Sequence, residues 1–323
     1  MTIQNIHTSV LLNESVSHLN LKRGDIAIDC TAGRGGHSSL ILKEISPGGK
    51  LICLDRDTDA IDFLKLQFAS EIKDKSLLVI KSPFSKVKQI AEMLGLSGKI
   101  SGILADIGVS SPQIDEANRG FSFMKDGPLD MRMDQSASLT AADIVNQFSE
   151  RELQLVFQEY GEEKYSKRIA KHIVKHREKT PITSTLQLAQ VIKQAVPTQA
   201  QQKHPATRVF QALRIQVNDE LSELKSLLHN SFEILKPSGR LAIVTFHSLE
   251  DRIVKNFFKG KTSSLNNNPL LKDLPILNSE LSAEGKIIKP FPITPSEEEI
   301  LRNVRARSAK LRVIEKNGKD DLS

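Results

Sequence analysis

Tryptophan is absent from this chain of 323 residues and tyrosine occurs only twice. Those side chains therefore provide few stacking platforms of the kind that hold splayed nucleic-acid bases. Cysteine is almost as scarce: Cys30 and Cys53 each lie in a short apolar run. The pair offers no disulfide framework and no zinc-ligand spacing, so no metal site is expected. No apolar stretch approaches the roughly 20 residues of a membrane helix. The opening residues, Met1-Thr2-Ile3-Gln4-Asn5-Ile6-His7, lack the basic start and apolar centre of an export signal. The expectation is a cytoplasmic protein without membrane contact. Neither sign of charge dominates, since the formal net charge is +6 with 26% charged and 39% hydrophobic residues. That balance permits a polyanionic partner without demanding one. The length suits one large domain or two ordinary ones around a sizeable core.

The stretch from Asp29 to Ser38 organises the rest. It follows the apolar run Ile26-Ala27-Ile28, read as a buried strand, and leads into a helix beginning near Ser39. Strand, glycine turn and helix together can present backbone N–H groups to a nucleotide-like ligand. Gly33 and Gly35 fit a dinucleotide fingerprint, but Ser38 stands where its third glycine belongs. Further strands are expected at Lys50–Leu54, Leu77–Ile80, Ile100–Ala105 and Arg240–Phe246, with helices between them. This alternation predicts an α/β fold with a doubly wound, mostly parallel sheet. Ligands of such sheets bind beyond the carboxyl ends of the strands. Asp29, Asp55, Phe84 and Asp106 all fall there, and a carboxylate such as Asp55 can accept from both ribose hydroxyls or cap the helix that follows.

From Ile107 to Pro128 the apolar period stops, and from about Leu139 to Ala200 the pattern is helical, with a basic amphipathic turn at Arg168–Lys175. The reading is an all-helical insertion. A long helix is expected from Pro205 to Leu235, a surface loop from Lys261 to Gly285, short strands at Lys286–Ile288 and Lys310–Ile314, and a disordered tail from Lys316. Three function classes fit these features: a methyltransferase using S-adenosylmethionine, an NAD-dependent oxidoreductase, or a non-catalytic RNA-binding or assembly factor responsive to S-adenosylmethionine. Carboxylates at several strand ends suit a cationic nucleoside better than a diphosphate, which favours the first. Asp29 and Asp106 can offset its charges. Neither cysteine is placed as a nucleophile for methylation at cytosine C5.

The motifs resemble the MraW (RsmH) family of bacterial rRNA methyltransferases. The likeness rests on His7–Glu14, Asp29–Ser38, Asp106–Asp115, Arg119–Phe123, Leu129–Asp134, His204–Arg214, Phe246–Arg252 and Arg305–Arg312. Ser9, Ala32 and Val304 stand where the family commonly has proline, leucine and proline. The resemblance implies a class I methyltransferase fold with a helical insertion, using S-adenosylmethionine to methylate the exocyclic N4 of a cytidine in the decoding region of 16S rRNA. It implies cofactor contacts at Gly35, Gly36, His37, Asp55, Phe84, Asp106 and Gln113. Asp106 and the carbonyls around Ser110, Ser111 and Pro112 are the candidates for aligning the amino group. Arg119, Arg132, Arg208, Arg214, Arg305 and Arg307 are the candidate RNA contacts. His247, Ser248, Glu250 and Asp251 either join the site or cap the helix after the fifth strand. The expected domains are 1–115 with 205–315 for the cofactor and 116–204 for the substrate, followed by a tail at 316–323. The expected partner is 16S rRNA within the small ribosomal subunit, and both monomer and homodimer stay open.

Overall fold

A computed structural model describes residues 9–197, 204–263 and 283–318. The segments His7-Thr8, 264–282 of the expected surface loop and 319–323 of the expected tail lie outside the described residues. The chain divides into two compact units, one made of the residues up to Gly108 with those from Glu223 onward, the other of Val109–Ser222.

The first unit is built on β1 (Ile26–Asp29), β2 (Lys50–Asp55), β3 (Leu77–Lys81), β4 (Ile100–Asp106), β5 (Leu235–Thr245), β6 (Gly285–Ile293) and β7 (Lys310–Lys316). They form one sheet in the order β3-β2-β1-β4-β5-β7-β6. Strands β1 to β5 pair in parallel, while β7 is antiparallel to both β5 and β6. The expected parallel sheet is present, with an antiparallel pair completing one edge. Side chains alternate between faces as the two-residue period of a strand requires. Ala27, Leu51, Cys53 and Leu104 join the cluster of α1 (Leu12–His18) and α2 (Gly36–Ile45). Their neighbours Ile28, Ile52, Leu54 and Ile103 join the cluster on the opposite face. Both faces are covered, which is why these strands read as continuous apolar runs. Next to α2 in sequence come α3 (Thr58–Gln67), α4 (Ala69–Lys73) and α5 (Val87–Met93).

The second unit is helical, with α6 (Ser111–Asp115), α7 (Ala141–Gln147), α8 (Glu150–Glu159), α9 (Ser166–Arg177), α10 (Thr185–Ala195) and α11 (Ala206–Asn218). The side chains of Thr140, Ser149 and Ser184 cap α7, α8 and α10, each in a reciprocal capping box. The insertion is larger than expected. Ala206, Val209, Phe210, Ala212 and Leu213 belong to the same apolar cluster as Leu129, Ile144, Phe157 and Ile192, so α11 belongs with the insertion and not with the cofactor domain. The single helix expected from Pro205 to Leu235 is two: Asp219 adopts φ 48° and separates α11 from α12 (Glu220–Ile234). After β5 comes α13 (Ser248–Thr262), and between β6 and β7 lies α14 (Glu297–Arg302). Residues 316–317 of the expected tail are ordered. Lys316 ends β7 with its Nζ on the carbonyls of Glu233 and Leu235, and Asn317 bonds to Ala283 and Glu284.

Candidate functional site

At the carboxyl end of β1 the chain turns through Thr31 to Gly35 before α2 begins. Gly33 and Gly35 have φ of 51° and 76°, a region that costs other residues about 1 kcal/mol or more. A Cβ at Gly35 would lie 2.5 Å from Phe68 Cε2, and one at Gly36 would collide with Ser9 Oγ. These two glycines thus admit packing of the protein's own side chains. Gly33 is the open position, since a Cβ there would meet nothing closer than the Thr31 carbonyl at 3.8 Å. No side chain caps the start of α2.

Asp55 ends β2. Its two oxygens accept from the N–H groups of Gly33 and Asp57, each at 2.9 Å. Burial pushes its carboxyl above the usual range against the pull of those bonds. Asp57, not Asp55, caps α3, by accepting from Asp59 N–H. Asp55 therefore keeps lone pairs for a ligand beside the open glycine. Phe84 is half-buried in the short 3₁₀ turn after β3, packed against the apolar cluster of that face.

Asp106 ends β4. Its N–H donates to Thr31 Oγ1 at 2.7 Å, tying this strand end to the glycine turn. His37 Nδ1 lies 4.0 Å from its Oδ2, and its Oδ1 has no hydrogen-bond partner among the described residues. Burial, followed by the charges of Asp29, Glu250 and Glu299, raises its carboxyl well above the ordinary value. The side chain is 21% exposed, whereas the unpartnered Oδ1 is itself buried, an unsatisfied acceptor at a strand end. Asp29 differs. It is 1% exposed, accepts from Ser38 Oγ at 2.7 Å and Thr31 N–H at 3.2 Å, and is pushed up to about 6 by burial. It holds the turn from beneath and is not open to offset a ligand charge.

Among the described residues of this unit, the strand ends thus bring together Gly33, Gly35, His37, Asp55 and Asp106. Sequence reasoning missed Thr31, Ser38 and Glu299. The first two stand inside the turn already singled out. Glu299 gave no signal, because it accepts from Leu11 N–H at 2.7 Å across 288 residues of sequence. Three of the four candidates after β5 serve in capping and pairing. His247 and Glu250 form a reciprocal cap on α13, and Asp251 pairs with Arg312 at 2.7 Å and Lys310 at 3.0 Å.

Gln113 and Ser110 lie in the second unit. Gln113 is buried, and its Oε1 accepts from Ser110 N–H at 3.0 Å in a capping box that starts α6. The carbonyls of Ser110 and Pro112 accept from Ile114 and Glu116. Those two expected acceptors are engaged within the helix. The candidate RNA contacts also divide. Arg119 is 3% exposed, with Nη2 on the carbonyls of Arg132 and Met133. It folds the loop and has no surface for a phosphate. Arg132 forks onto Asp130, and Arg214 onto Glu220. Arg208, Arg305 and Arg307 are exposed.

Residues 4–317 match the model of the MraW methylase family. The chain belongs to this family. It is 50% identical over 313 residues to a protein of Carboxydothermus hydrogenoformans named ribosomal RNA small subunit methyltransferase H, covering 96% of this chain and 97% of the relative. Relatives of the same name from Alteromonas mediterranea and Brevibacillus brevis are 49% and 47% identical, each over 96% of this chain and 97% and 98% of their own. Membership of a methylase family sets the oxidoreductase alternative aside, and the cofactor is S-adenosylmethionine. The residues present fit it. Asp55 offers carboxylate lone pairs for ribose, Gly33 leaves room against the backbone, and Asp106 supplies an unengaged oxygen.

Proposed function

We propose that this protein methylates the exocyclic N4 of a cytidine in the decoding region of 16S rRNA, in the cytoplasm and within the small ribosomal subunit. The observation that carries the reading is the 47–50% identity, over 96% of the chain, to proteins named ribosomal RNA small subunit methyltransferase H. S-adenosylmethionine, when bound, supplies a methyl group on a sulfonium for in-line displacement. Gly33 and Asp55, with Gly35, Gly36, His37, Phe84 and Gln113 as further candidates, hold and orient it.

The N4 lone pair is delocalised into the cytosine ring and is a poor nucleophile. An acceptor aimed at one N–H draws electron density back to nitrogen and takes up the proton lost on methylation. Asp106 suits that role. Its Oδ1 is unengaged, its position is fixed through Thr31, and burial raises its proton affinity. Ser111 completes the aligning candidates, whereas Ser110 and Pro112 act through the fold of α6. Arg208, Arg305 and Arg307 are the RNA contacts retained.

The test is transfer of labelled methyl from S-adenosylmethionine to small-subunit particles of a deletion strain, followed by mass spectrometry of the nucleosides. N4-methylcytidine is expected. Binding of cofactor and particle without turnover would make the protein an assembly factor instead.

A further inference from the structure

The distribution of charge along the helical unit is uneven. Residues 164–179 hold seven Lys or Arg and one Glu, a formal net charge of +6 that equals that of all 323 residues. Arg177 is turned inward, donating to the Val145 carbonyl at 2.6 Å. The other six, Lys164, Lys167, Arg168, Lys171, Lys175 and Lys179, are exposed, and none makes an ion pair or side-chain hydrogen bond among the described residues. At 100° per residue, Lys167, Arg168, Lys171 and Lys175 fall within an arc of about 100° on α9. The opposite side holds Ser166, Ile169, Ala170 and Ile173, all buried.

An unpaired cationic face directly opposed to a packed one has no role in folding the unit, and its self-repulsion costs stability. Lys167 to Lys175 spans about 12 Å at 1.5 Å per residue, with Lys164 and Lys179 extending the stripe at either end. The cationic arc itself carries no aromatic side chain, with His172 and His176 lying beside it, so the arc is suited to phosphate and not to base reading. Duplex RNA is recognised mainly through its backbone and shape.

We propose that the outer face of α9 docks on the phosphate backbone of a helical segment of the rRNA substrate. This rests on the rRNA methyltransferase reading and names a contact surface for it. The face positions the substrate and carries no base selectivity.

The experiment is the salt dependence of binding to an rRNA fragment that holds the decoding region and its flanking helices. It compares the wild type with a quadruple variant, Lys167→Gln, Arg168→Gln, Lys171→Gln and Lys175→Gln. Each lost phosphate contact lowers the slope of log K against log salt by about 0.7–0.9, so a fall of about 3 is expected. A control with Lys43, Lys50, Lys65 and Lys73 of the sheet unit changed to Gln should keep the wild-type slope. In methyl transfer the α9 variant should raise KM for the particle at least tenfold and leave kcat and cofactor affinity unchanged. An unchanged slope overturns the proposal, as does an equal fall in the control. So does a variant that loses binding to particles while binding free rRNA normally, because the face would then contact protein. The binding arm needs no turnover. A wild type that binds with this slope but transfers no methyl group supports the α9 contact and removes the reading beneath it.

Discussion

In the sheet unit the telling charges are negative and drawn inward. Asp29 is sealed under the glycine turn, Asp55 is held by two backbone N–H groups, and Asp106 is raised well above its ordinary value by burial and by three neighbouring carboxylates. In the helical unit the telling charges are positive and face outward from one side of α9, with no ion pair among the described residues. A small cationic nucleoside has to be desolvated and oriented within reach of a few fixed acceptors, which favours groups whose positions the sheet dictates. A long polyanion is held by many weak, exchangeable contacts, for which flexible lysines on a rigid helix suffice. On the proposed function, the contrast divides the work between cofactor and substrate along the chain.

The sharpest way to break this comparison is at Asp106. Asp106→Ala should lower the rate of methyl transfer by about 100- to 1,000-fold, read from initial rates at saturating particle. A variant within threefold of wild type would remove Asp106 from the chemistry. Next comes arginine, where the two environments make opposite predictions. Arg119→Met leaves the carbonyls of Arg132 and Met133 without their donor and should cost about 2–4 kcal/mol in denaturant unfolding. Arg307→Ala, at an exposed position, should change stability by less than about 0.5 kcal/mol and be felt only in RNA affinity. Equal effects would mean that burial does not separate them.

A third prediction follows from Asp29. Its carboxyl binds a proton more tightly when folded, at about 6 against an ordinary 3.8. Between those values the native state holds more protons than the unfolded one, so stability falls as pH rises. Asn at position 29 does not titrate. The stability of the wild type relative to Asp29→Asn should therefore drop by about 2.4 kcal/mol from pH 4 to pH 7.5, measured by chemical unfolding at both. A gap that stays constant would show that the buried carboxyl is not the cause. Last comes Asp55→Asn. Ordinary hydrogen bonds replace charge-assisted ones, and cofactor affinity should weaken by about tenfold, measured by calorimetry.

The strands and the acidic residues at their ends were legible because both depend on local pattern. A run such as Leu51-Ile52-Cys53-Leu54 announces a strand buried on two faces, and Asp55 follows it directly. What was not legible depends on tertiary context. The apolar stripe Val209, Leu213, Val217, Leu221, Leu224 continues through the helix break, so nothing in its period reveals the left-handed Asp219 that separates α11 from α12. Arg119 reads as surface because it sits among turn residues, and the carbonyls that bury it come from a second aperiodic segment 13 and 14 residues away. The limits of the insertion were misplaced because a helix's amphipathic pattern shows that it packs, but not on which core.

The strand order also has a consequence for how the molecule is made. β7 pairs along β5 on one side and β6 on the other, so the sheet has a gap until residues 310–316 have been synthesised. The helical unit is continuous in sequence and complete by Ser222, before any of β5 is translated. On a translating ribosome it can fold first, while β1 to β4 wait with an unpaired edge at β4. The continuous helical unit is thus finished well before the sheet that the chain enters and leaves around it.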